Sequence, residues 1–173
     1  MFRKILNALL GKSETSAGTE LPAKPIDRQP AYLVAQERFT VGQKAVIEGR
    51  AVSGKLMGVF EDDGDTGFFY AVDMQREEQP IRDALHIYNA SQVTDRNVPS
   101  EAEIVWSGDD RKVLLLINNY PHAVFDFDRQ VGYNRNGFPE PSGDSSWRRA
   151  EWSDAVMALF PASTVAPDSQ TLH

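Results

Sequence analysis

Residues 103–128 read EIVWSGDDRKVLLLINNYPHAVFDFD, and this stretch decides the fold class. Three apolar runs are separated by Ser107, Gly108, Asp109, Asp110 and then by Asn118, Asn119, Tyr120, Pro121. Those turn residues tolerate tight or left-handed backbone, so the runs read as three consecutive antiparallel strands. Within the middle run, Val113, Leu114, Leu115, Leu116 and Ile117 are apolar without alternation. A continuous run of that kind belongs to a strand covered on both faces of its sheet.

The same pattern extends outward. Residues 43–52 alternate, and residues 55–60 and 67–74 flank EDDGDTG, a strong hairpin signal. Residues 84–89, ALHIYN, alternate Leu85 and Ile87 against His86 and Tyr88, and a further strand is expected at 130–135. Gly42, Gly49, Gly54 and Gly58 are spread through this region and read as bends or bulges. Near the C-terminus, SWRRAEWSDAVMALF places Trp147, Trp152, Ala155, Val156, Leu159 and Phe160 at a helical period that Pro161 ends. The expected fold is therefore α+β: an antiparallel meander of about six to seven strands, with a C-terminal amphipathic helix packed on one face. Trp152, Val156 and Phe160 are the expected cover for that face.

Four segments are expected. Residues 1–11 form an amphipathic helix, with Phe2, Ile5, Leu6, Leu9 and Leu10 on one side and Arg3 and Lys4 off it. Residues 12–30 are a flexible linker, 31–161 a single globular domain, and 162–173 a disordered tail. The first segment could dock loosely on the domain, lie weakly on a membrane or partner, or serve as a targeting segment; docking leads.

Composition narrows the function classes. The formal net charge is −7 and the chain has no cysteine. Acidic balance argues against nucleic acid and favours a basic protein partner. The missing cysteines exclude disulfides and thiolate chemistry, and fit a cytoplasmic location.

Several clusters could carry chemistry. Glu61, Asp62, Asp63 and Asp65 resemble an oxygen-rich cation loop, but the EF-hand register fails and a solvated hairpin tip is favoured. Asp126 and Asp128 alternate with Phe125 and Phe127, so both carboxylates leave one face of a strand. They could join His86 or His122 in a small hydrolase or metal-assisted enzyme if those groups converge. The plainer reading pairs them with Arg129 or Arg135 across strands. No nucleophile elbow, phosphate loop or dinucleotide glycine pattern occurs, and no cofactor or metal is expected.

The cluster Tyr133, Asn134, Arg135, Asn136, Gly137, Phe138, with Trp147, Arg148 and Arg149 beyond it, reads best as a recognition surface. The alternative stands level: Phe138 and Trp147 as core anchors, and the arginines as offsets to an acidic surface. The expected contact residues are His122, Asp126, Asp128, Tyr133, Arg135, Phe138 and Arg148.

Taken together, IVWSGDDRKVLLLINNYPHAVFDFD, DDGDTGFFYAVD, ALHIYNA, GYNRNGFP and the W…W…F spacing resemble a bacterial family catalogued as domain of unknown function 2251. The resemblance covers residues 41–160 and leaves both ends outside. It implies no catalytic residue. The functional expectation is a non-catalytic protein-binding module, such as a toxin-neutralising immunity protein facing a basic toxin. The alternatives are the small hydrolase above and a peripheral membrane accessory protein.

Overall fold

The computed structural model describes residues 30–161. The expected segments at 1–11, at 12–29 within the linker, and at 162–173 lie outside the described residues.

Ten strands form two sheets packed face to face. The six-stranded sheet holds β1 (Tyr32–Phe39), β6 (Ser100–Trp106), β7 (Lys112–Ile117), β8 (Tyr120–Asp126), β9 (Val131–Asn134) and β10 (Arg148–Glu151), in that spatial order. The four-stranded sheet holds β2 (Ala45–Arg50), β3 (Leu56–Asp62), β4 (Thr66–Asp73) and β5 (Ile81–Asn89). All neighbours are antiparallel except β9 and β10, which run parallel.

Residues 103–128 form β6, β7 and β8 as expected, with Asn118 and Asn119 at positive φ in the second turn. The run in β7 is covered on both sides. Val113, Leu115 and Ile117 enter the inter-sheet core, while Leu114 lies under Val156 and Phe160 on the outer face. Asp63, Gly64 and Asp65 make the β3–β4 hairpin turn where the acidic loop predicts one, with Gly64 at positive φ.

The α+β expectation, one meander of six to seven strands under a C-terminal amphipathic helix, is wrong: the described residues are nearly all β, with ten strands divided between two sheets and no such helix. Residues 148–151 are a strand paired with β9, and the only helical element after it among the described residues is a 3-10 turn at Asp154–Leu159. No helix of seven or more residues occurs among the described residues. The apolar spacing serves another backbone. Trp152, Val156 and Phe160 do cover the outer face of the six-stranded sheet, whereas Trp147 turns into the inter-sheet core, 3 % exposed. The strand at 148–151 lies between Trp147 and Trp152, and its alternation sends the two rings to opposite faces of the sheet.

The inter-sheet core is aromatic. Phe69 stacks on Phe125 at 5.3 Å between ring centroids, and Trp147 meets Phe125 and Phe127 edge-on. Gly49 and Gly58 are neither bends nor bulges. They lie in paired strands where a Cβ would come within 2.5 Å of Ile104 and 2.9 Å of Val113 respectively, so they permit close approach of the sheets. Trp106 Nε1–H donates to the Gly49 carbonyl at 3.0 Å, joining the sheets at that point.

Candidate functional site

One end of the molecule gathers an aromatic and amide-rich depression of about 420 Å³. Thr66, Phe68, His86, Asn89, Gln92, Asn136 and Phe138 line it. Strands β4 and β5 supply the first members, and the loop after β9 brings Asn136 and Phe138 to β5. His86 N–H donates to the Phe138 carbonyl at 3.0 Å, so this loop continues the edge of the four-stranded sheet. Asn134, 2 % exposed, secures the join: its Nδ2 lies 2.9 Å from the His86 carbonyl and 2.8 Å from that of Phe138. Its Oδ1 has no partner among the described residues.

The side-chain orientations follow from one backbone group. Phe138 N–H donates to Asn136 Oδ1 at 3.0 Å, which fixes that amide and turns its Nδ2 toward His86 Nδ1, 2.7 Å away. His86 Nδ1 therefore accepts a hydrogen bond, and Nε2–H donates to Asn89 Oδ1 at 2.9 Å. Asn89 Nδ2 donates onward to Gln92 Oε1. Phe68 and Phe138 meet the imidazole edge-on, at 5.6 and 5.8 Å. The ring is held on both nitrogens and between two aromatic walls. Phe138 is 57 % exposed on the rim.

The expected contact residues divide among four places. His122, Tyr133 and Arg135 gather on the outer side of the six-stranded sheet. Arg135 lies 4.5 Å from the Tyr120 ring centroid and 4.4 Å from that of Trp152, and donates twice to the Pro121 carbonyl. Burial first, and Arg135 second, lower the His122 pKa from 6.5 to about 4. Asp126 and Asp128 sit at the other end of β8. Asp126 accepts the Asp128 and Arg129 amides, and Asp128 pairs with Arg111. Phe138 alone reaches the depression, and Arg148 is exposed at the start of β10.

The hydrolase constellation does not assemble. His86 is on β5 in one sheet and His122 on β8 in the other, and they point to opposite outer faces. Asp126 is spent on the amides of the β8–β9 turn, and Asp128 on Arg111 of the β6–β7 turn. The acidic hairpin is likewise structural. Asp62, 1 % exposed, accepts from the Gly42 and Gly64 amides and from Tyr88 O–H, while Asp63 accepts from the Asp65 and Thr66 amides. No group of three or more His, Asp or Glu among the described residues could hold a metal ion.

Sequence reading misses Phe68, Asn89, Gln92 and the role of Asn136, because they join across 50 residues of chain through a loop without periodicity. It also misses the ion pair beside the site. Arg149, rather than Arg148, is the buried arginine: it forks onto Asp83 and reaches the Ala84 carbonyl, tying β10 to β5. Burial raises the Asp83 carboxyl, and the Arg149 fork opposes that shift. The only available signal is the placement of an aspartate and an arginine at strand ends.

The bacterial family described as "Uncharacterized protein conserved in bacteria (DUF2251)" matches residues 39–161, which include the whole depression. The chain belongs to this family. It is also similar to a protein of Haemophilus influenzae, described as an uncharacterized protein, with 52 % identity over 93 residues. That match covers 54 % of this chain and 58 % of the relative's own length. No solved structure matches. The sequence resemblance is thereby borne out, with family boundaries within two residues of those expected. No helix among the described residues is long and apolar enough to cross a membrane.

Proposed function

We propose that this chain is a non-catalytic protein-binding module that engages its partner through the His86 depression and the Phe138 rim. One observation carries the reading: His86 is immobilised on both nitrogens inside an aromatic frame, while the neighbouring Phe138 remains 57 % exposed. A ring fixed on both nitrogens suits recognition by shape, and an exposed rigid aromatic suits an interface anchor. Thr66, Asn89, Gln92 and Asn136 set polar groups beside the two phenylalanines of the recess, a mixture that can orient a ligand. The net charge of −7 favours a basic partner, which a toxin-neutralising role in the cytoplasm would supply.

Parallel affinity capture with the immobilised full chain and its Phe138→Ala variant tests this. The reading expects one stoichiometric protein on the wild type and about tenfold less on the variant, a loss of roughly 1.4 kcal/mol. Melting temperatures should agree, because Phe138 buries little on folding. Equal capture by both forms would reject the site.

A further inference from the structure

The outer face of the four-stranded sheet is apolar and closed to solvent, although no described element lies across it. Ile47, Phe60, Phe69 and Leu85 point into the inter-sheet core. Alternation therefore sends Met57, Val59, Tyr70, Val72 and Ala84 to the opposite side, where they form a cluster of their own. Val59, Tyr70 and Val72 are 0 % exposed and Met57 is 1 % exposed. Sheet neighbours shield the flanks of a side chain, whereas its tip needs something above it. The six-stranded sheet lies on the other side, and Val156 and Phe160 cover that sheet's own outer face. Residues of the loop at 139–145 share a depression with Ile81 to Ala84 of β5, and none of these loop residues joins the apolar cluster.

We propose that residues 1–10, MFRKILNALL, are the cover, seated apolar side down on this face. At a helical period Phe2, Ile5, Leu6, Leu9 and Leu10 share one side, the complement such a face requires. The face also carries acid. Glu48 and Glu61 stand on it among the apolar residues, and Glu61, 4 % exposed, accepts from Tyr70 O–H. Arg3 and Lys4 supply the opposite charge at the edge of the apolar side. Reach is ample: residues 11–29 extend up to about 60 Å, well beyond the width of a small domain. The other end of the chain, ASTVAPDSQTLH at 162–173, offers no comparable apolar side.

The seat also touches the recognition site. Phe68 stacks at 6.0 Å on Tyr70, within the seat, and lines the His86 depression as well.

The chain has no cysteine, so Val46→Cys, at a rim position 45 % exposed on this face, accepts a single nitroxide label in the full chain. The proposal expects paramagnetic loss of the amide signals of residues 2–10 within the same molecule. It is overturned if those signals persist. It is also overturned if the loss appears only when labelled chains are mixed with isotope-enriched unlabelled ones, which would make the occupant a second copy. A second variant, Leu6→Asp with Leu9→Asp, should lower the melting temperature by about 5 °C or more and admit an apolar dye. An unchanged melt without dye binding counts against the proposal. Co-sedimentation of the wild-type full chain with phosphatidylglycerol vesicles would assign the segment to a membrane instead; the proposal expects none.

Discussion

His86 and His122 are the same residue put to opposite uses. His86 stands at the open end of the four-stranded sheet, its two nitrogens engaged by Asn89 and Asn136 and its ring framed by Phe68 and Phe138. His122 lies on the outer face of the six-stranded sheet, edge-on to Tyr120 at 5.4 Å and beside the Arg135 guanidinium. The first is satisfied by neutral amides and borders solvent-accessible space. The second is held against a cation, in a setting that disfavours its charged form. What distinguishes them is the direction each strand gives the side chain and what the next loop brings to it. Sequence alone presents both as equivalent candidates for acid–base work.

The largest effect should come from cutting the tie between the two regions. Arg149 joins β10, which leads into Trp152 beside Arg135, to β5, which carries His86. Arg149→Met leaves the buried Asp83 carboxylate without its partner and should cost about 3–5 kcal/mol by chemical denaturation. A loss below about 1 kcal/mol would mean that the two regions are held together by something else.

Acid should next expose the burial of His122. The His122 pKa lies at about 4 in the folded chain against an ordinary value of 6.5, so the unfolded chain takes up the proton first as pH falls. Stability from this residue is complete above about pH 6.5, declines below it, and is fully lost once pH passes about 4. The whole contribution is roughly 3 kcal/mol. His122→Phe should flatten this limb of the stability–pH curve, and an unchanged slope would contradict the burial assigned to the ring. A smaller effect is expected at the other histidine. Asn136→Ala removes the acceptor for Phe138 N–H and the donor to His86, for a loss of about 1–2 kcal/mol and a weakened rim.

The difference between the two regions also explains what the sequence could reveal. Strands β6, β7 and β8, and the β3–β4 hairpin, pair with chain neighbours through short turns, so local pattern and turn chemistry are sufficient. Strands β1 and β10 are not anticipated by it. Residues 32–39 pair with β6 far along the chain, and 148–151 pair in parallel with β9 after a long loop. At 147–160, apolar spacing suggests a helix because a strand followed by a 3-10 turn can deliver Trp152, Val156 and Phe160 to the same face. Tyr133 and Arg135 are legible as a surface cluster with His122, since β8 and β9 are adjacent. The His86 depression is not, because its two halves come from residues 66–92 and 136–138. The amide chain through Asn134 and Asn136 brings them together.

The central claim is that His86 is fixed for recognition rather than available for proton transfer. Long-range nitrogen–proton correlation on the imidazole of the full chain at neutral pH tests it most directly. The account predicts a single tautomer, with Nε2 protonated and Nδ1 a bare acceptor held by Asn136. A ring protonated on Nδ1, or one exchanging freely between tautomers, would contradict it.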